Sequence, residues 1–213
     1  MAGALSLAAL HERIALYYSA KIKRHGPTPA GVDWPEARTQ ELRFEQLLRV
    51  CAFDAPVSLA DIGCGYGALF GYLVRTRPHT AIDYLGVDVS QAMIDTAVKL
   101  WRGEPHAEFR VGSSSPKQVD YAVASGIFNV RIDEPMRLWQ RFVSETLRAM
   151  AATCRRGFAV NFLGPLPRGT DTVPELYRPA PARWAGFCET ELACRVELVA
   201  NYGLQEFTLL ARH

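Results

Sequence analysis

Nowhere in the 213 residues is there an apolar run of about 18 positions, the length a helix needs to cross a bilayer. The sequence therefore gives no reason to expect a membrane protein. No basic residue precedes the apolar patch of the opening MAGALSLAALHERIALYY, and His11, Glu12 and Arg13 interrupt it. It reads as an amphipathic helix and not as a secretion signal. An excess of one charge is also missing. Lysine and arginine number 24 against 22 acids, and a net charge of +2 is too small for a nucleic-acid footprint. The one basic run, KIKRH at Lys21 to His25, reads as a solvated helix end. Cys51, Cys64, Cys154, Cys188 and Cys194 form no CxxC pair and are odd in number. That argues against a disulfide framework or a metal site and fits a reducing cytoplasm.

What is present is an ordinary globular composition, 49% hydrophobic and 22% charged, on a chain of one-domain length. Its organising stretch is VSLADIGCGYGALFGYL, Val57 to Leu73: an apolar run ending in an acid, three alternate glycines, then a helix-like segment. A strand that turns at once into a helix needs a backbone free of Cβ atoms at the bend, which Gly63, Gly65 and Gly67 supply. The first N–H groups of the following helix are unpaired there, so the stretch reads as a nucleotide-type cofactor site. GCGYGA also fits the dinucleotide pattern G-x-G-x-x-G/A with Ala68 in the last place. A second apolar run, IDYLGVDVS, ends in Asp88. That acid suits the ribose hydroxyls of an adenosine in either cofactor class.

ADIGCGYG, YLGVDVS and later DYAVASGIFN resemble, in order and spacing, motifs of the class I S-adenosylmethionine-dependent methyltransferases. The resemblance covers about residues 40 to 213 and is specific for cofactor rather than substrate. It implies an α/β fold: a Rossmann-like, doubly wound, seven-stranded sheet with an antiparallel last strand, plus an N-terminal helical cap. Residues 1–55 are the expected cap and 56–213 the S-adenosylmethionine-binding core, together one structural domain. Within the core, 164–183 holds five prolines and reads as a surface loop or lid.

Along the chain, helices are expected from Ser6 to Arg24 and from about Asp33, the helix-start acid, separated by HGPTPAG as a linker. Strands follow at about Val57, Ile82–Val87, Ala107–Val111, Val119–Ala124, FAVNFL, CRVELV and EFTLLA. Ser90 is read as a helix N-cap, Pro135 as opening a long amphipathic helix, and Arg156-Gly157 as ending it. In the methyltransferase frame the cap closes the site through Gln40 and Arg43, the arginine clamping the cofactor's carboxylate with two parallel hydrogen bonds. The other expected cofactor residues are Asp61, Gly63, Cys64, Gly65, Gly67, Asp88, Val89, Met93, Gly112, Ser113, Ser125 and Gly126. The family's usual acid after the third strand is replaced here by Gly112-Ser113-Ser114. Tyr17, Trp34, Phe128 and Asn129 are expected on the substrate side. Candidates for a general base are Tyr18, His25 and Asp133, with Tyr17, Asp33 and Glu134 beside them, and none is marked by spacing.

The sequence contains neither a D/N-PP-Y motif nor a Pro-Cys pair of the DNA methyltransferases, so a small-molecule acceptor, and no nucleic-acid or membrane partner, is the expectation. A monomer or homodimer is the expected form. Three classes stay open at this point: a small-molecule methyltransferase, an NAD(P)-dependent oxidoreductase using the same glycine turn, and a non-catalytic cofactor-binding or interaction protein.

Overall fold

The computed structural model describes residues 6–167, 169–170 and 173–213. Residues 1–5 of the expected cap and 168, 171 and 172 of the expected lid lie outside the described residues. Seven strands, β1 (Val57–Ile62), β2 (Ile82–Asp88), β3 (Ala107–Val111), β4 (Val119–Ala124), β5 (Cys154–Leu163), β6 (Arg195–Ala200) and β7 (Glu206–Arg212), form one sheet. Its order is β3-β2-β1-β4-β5-β7-β6. The first five strands run parallel, while β7 is antiparallel to both β5 and β6. The helices are α1 (Leu7–His25), α2 (Ala37–Leu48), α3 (Ala68–Thr76), α4 (Gln91–Leu100), α5 (Met136–Thr153) and α6 (Pro181–Thr190), with a 3-10 helix at Pro29–Val32. Among the described residues, no helix is long and apolar enough to cross a membrane.

The period of two in the strands sorts the core onto two faces. Val57, Leu59, Tyr84, Val123 and Leu210 pack with Phe44, Leu47 and Leu48 of α2 and Leu69, Phe70 and Leu73 of α3. Ala60, Ile62, Leu85, Phe158 and Leu209 point the other way, onto Trp139, Phe142, Val143 and Leu147 of α5 and Trp184 of α6. Strand order reverses between β1 and β4, and a crevice opens there at the carboxyl ends of the strands.

The N-terminal helices do more than roof that crevice. α2 lies on a sheet face as one of its covering helices, whereas α1 carries Leu10 and Ile14 into the opposite core and Ile22 onto Tyr66 and Met93. The segment read as a linker contains the 3-10 helix, whose last turn ends at Asp33 with φ of 61°. Asp33 pairs with Lys21 at 2.6 Å and does not start α2, which has Glu36 at its N-cap. β5 begins at Cys154, directly after α5, and Arg156-Gly157 lie inside the strand.

Candidate active-site cleft

From β1 the chain turns through Gly63, Cys64 and Gly65 into α3, and the N–H groups of Gly63 and Cys64 donate to the Val87 carbonyl at 2.7 and 3.1 Å. Gly63 has φ of 76°, and a Cβ on it would overlap Cγ2 of Ile127 across the crevice. Only glycine allows both that backbone and that approach. Asp88, at the end of β2, accepts from the Gly65 N–H at 2.9 Å through Oδ2 and from the Ser90 N–H at 2.8 Å through Oδ1. One carboxylate thus ties the glycine turn to the start of α4. Burial pushes the Asp88 pKa up, against the pull of those two N–H groups. A carboxylate has about four acceptor positions, so two remain for ligand hydroxyls. Ser90 caps α4 by accepting from Met93 N–H at 3.2 Å, and its hydroxyl lies 2.7 Å from that of Ser19 on α1.

Asp61 is buried at the end of β1, with the Tyr84 hydroxyl donating to its Oδ2 at 2.6 Å. Burial pushes its carboxyl up to about 7; the Tyr84 bond opposes the shift and the Asp88 charge adds to it. At the end of β4, the Ser125 hydroxyl is buried without a hydrogen-bond partner among the described residues. Gly126, with φ of 74°, donates its N–H to Asn161 Oδ1 at 2.7 Å, and a Cβ there would overlap the Trp34 indole.

These groups border one cleft of about 920 Å³, counting the solvent at its mouth. On the cofactor side it is lined by Asp61, Gly63, Cys64, Gly65, Asp88, Val89, Met93, Gly112 and Ser113. Ser125, Gly126, Tyr18, Trp34 and Gln40 line the rest together with side chains the sequence did not single out: His11, Ile14, Phe44, Tyr66, Ile127, Phe142 and Thr146.

The remaining candidates are placed elsewhere. Arg43 is buried beneath the cleft, its guanidinium fork taken by Glu206 with Nε bonds of 3.0 and 2.8 Å and an Nη2 bond of 2.5 Å. It stacks 3.7 Å from the Trp34 ring and has no donors left for a cofactor carboxylate on that edge. Gly67 caps α3 with φ of 80°, and its missing Cβ makes room for Trp101, whose Nε1 donates to the Tyr66 carbonyl at 3.0 Å. Phe128 is fully buried and stacked on Phe162 at 5.1 Å, so its neighbour Ile127 faces the crevice in its place. Asn129 accepts from Leu163 N–H at 3.2 Å and braces the loop from within. Tyr17 lies edge-on to Tyr18, outside the lining. His25 is exposed at the end of α1; Asp133 is exposed in a turn with φ of 58°. Glu134 is paired with Arg13.

His11 was legible in principle. It stands three and seven positions before Ile14 and Tyr18, one side of a helix, and the spacing alone puts all three toward the same neighbour.

A doubly wound sheet closed by an antiparallel hairpin, with an acid at the end of each of its first two strands, defines a methyltransferase-type α/β protein. The family model described as "Methyltransferase domain" matches residues 60–151. The protein named "Putative methyltransferase Rv1506c" of Mycobacterium tuberculosis, a name that gives no substrate, is 36% identical over 165 residues, 78% of this chain and 98% of that protein. Two solved structures share the fold at low identity. The DhpI-SAM-HEP complex has a TM-score of 0.65 at 15% identity, covering 98% of this chain and 99% of that one. Magnesium protoporphyrin IX methyltransferase from Synechocystis PCC 6803 with bound SAH has a TM-score of 0.62 at 13% identity, covering 98% and 100%. The chain belongs to the S-adenosylmethionine-dependent methyltransferases.

Proposed function

We propose that this chain transfers the methyl group of S-adenosylmethionine to a small-molecule acceptor bound in the same cleft. The observation that carries the reading is continuity: a single cavity runs from Asp88 and the glycine turn to an aromatic wall built by α1, α2 and α5. Its volume suits a small ligand. The residues present also fit the cofactor. Asp88 has acceptor positions to spare for ribose hydroxyls, and Met93 offers a soft side chain to a flat base. Asp61 is a buried carboxyl that a cationic group beside it would ionise, and Ser125 has a buried hydroxyl in need of a partner. When bound, the cofactor supplies a methyl group on a positively charged sulfur. The chain's own task is then positioning and exclusion of water, and holding two reactants at near-attack distance is worth about 7–11 kcal/mol of barrier.

Calorimetric titration with S-adenosylhomocysteine and, separately, NADH tests the cofactor side. The thioether is expected to bind one per chain and the dinucleotide not at all, and the reverse pattern would refute the reading. Release of S-adenosylhomocysteine in the presence of a panel of metabolites then reports the acceptor.

A further inference from the structure

Beyond the glycine turn the cleft is walled by His11 and Ile14 of α1 and Phe142 and Thr146 of α5, while Ile127, which faces Gly63, and Tyr18, which packs on Tyr66 and Met93, stand between this end and the turn. No lysine or arginine is among the described residues that line the cleft, and both lining carboxylates, Asp61 and Asp88, stand at its cofactor end. A charged acceptor entering the α1–α5 end would lose water and meet no counter-charge, an uphill exchange in a partly closed apolar site. A flat neutral ring would meet aromatic and branched side chains instead.

The polar groups of this end differ in what they have left to offer. Thr146 spends its hydroxyl proton on the Phe142 carbonyl at 2.9 Å. Tyr18, between this end and the glycine turn, is half-buried, and its desolvation raises its pKa, which keeps it protonated at neutral pH. His11 lies edge-on to Phe142, ring centroids 5.6 Å apart, and neither ring nitrogen makes a hydrogen bond among the described residues. Burial lowers the His11 pKa below its usual 6.5, so the free imidazole is the dominant form at neutral pH. The other titratable groups lining the cleft are Tyr18 on the same helix, Tyr66 in the glycine turn, Cys64, Asp61 on β1 and Asp88 on β2; α5 contributes none to the lining. The adjacent Arg13 is paired with Glu134.

We propose that this end of the cleft takes an uncharged, ring-bearing acceptor and that His11 accepts the hydrogen bond of its reactive hydroxyl or N–H, and then its proton. The proposal rests on the methyltransferase reading above. The balance is simple: the acceptor's oxygen or nitrogen bonds to the methyl carbon as the sulfur–methyl bond breaks. That bond's electron pair stays on sulfur, and the acceptor's proton passes to the unprotonated nitrogen of His11 and on to water.

The test uses the full chain saturated with S-adenosylhomocysteine, so failure of the cofactor reading shows first, as no binding of that molecule. Three probes of similar shape are then titrated by calorimetry: 2-naphthol, 2-naphthoate and 2-naphthylmethylammonium. 2-Naphthol is expected to bind at least about tenfold more tightly than either ion. It should also shift the His11 imidazole resonances, assigned by their absence in His11→Asn. In that variant 2-naphthol affinity should fall about fivefold, the worth of one hydrogen bond, with affinity for S-adenosylhomocysteine kept. The imidazole of the wild-type complex should titrate below 6.5. Equal or tighter binding of an ion, no binding of 2-naphthol, unmoved His11 resonances or an imidazole protonated at neutral pH would each overturn the proposal.

Discussion

Asp61 and Asp88 are both acids at strand ends, yet their surroundings give them different work. Asp88 is held by two backbone N–H groups, which makes it part of the turn. Asp61 has one neutral hydroxyl bond and a carboxyl titrating at about 7. Its folded pKa lies above the unfolded 3.8, so the native state binds the extra proton between those values. Its contribution to stability should therefore be greatest below about pH 4, decline as pH rises to about 7, and be constant beyond. Urea unfolding across that range should show this slope in the wild type and not in Asp61→Asn. If bound cofactor product requires the ionised carboxylate, its affinity should climb about tenfold per pH unit and level off near pH 7. Tyr84→Phe removes the one bond that lowers this pKa, so it should move the plateau to higher pH in the same titration. The two acids were readable from sequence because each ends an apolar run. Their inequality was not, since it depends on Tyr84, which reaches Asp61 only through the pairing of β1 with β2.

α2 shows at the scale of an element why the site was only partly legible. Arg43 has the chemistry of a carboxylate clamp, and the structure uses it as one, but the carboxylate belongs to Glu206, 163 positions away on β7. Glu206 in turn accepts from Asn161 Nδ2 at 3.0 Å, and Asn161 Oδ1 holds the Gly126 N–H. A buried relay thus runs from α2 through β7 and β5 to the β4 loop that walls the cleft. Removing one member of such a pair leaves a buried charge uncompensated, so Arg43→Met should cost about 3–5 kcal/mol. Arg43→Met with Glu206→Leu should recover most of it in urea melts. Gly126→Ala forces a Cβ into Trp34 at a positive φ and should weaken S-adenosylhomocysteine binding while displacing that indole, visible as a change in tryptophan fluorescence. The strands were the clearest elements in the sequence: β4 falls on the mostly apolar VDYAVA and β3 on AEFRV, where apolar and charged residues alternate, each followed by Gly and polar residues. Helix starts were legible at α1, α4 and α5, where Ser6, Ser90 and Pro135 stand at the N-cap, but not at α2. Asp33 looks like a cap, yet it takes a left-handed backbone and a lysine partner, and α2 starts with no side-chain cap.

For the whole molecule, the two N-terminal helices share hydrophobic cores with opposite faces of the sheet. We propose that residues 1–55 and 56–213 are a single folding unit. Deleting residues 6–35 would uncover the partners of Leu10 and Ile14, which are buried, and remove one wall of the cleft. Such a chain should unfold at lower urea, bind a hydrophobic dye in its native baseline and lose S-adenosylhomocysteine; full-length-like stability would show the cap to be separable. The central claim, that the crevice at the ends of β1 and β2 holds the methyl donor beside an acceptor chamber, is tested most directly by a crystal structure with S-adenosylhomocysteine. The account predicts ligand density against Asp88 and the Gly63–Gly65 turn, with its sulfur open toward the side of the cleft lined by His11. Density at any other place, or a glycine turn left bare in crystals saturated with the ligand, would contradict it.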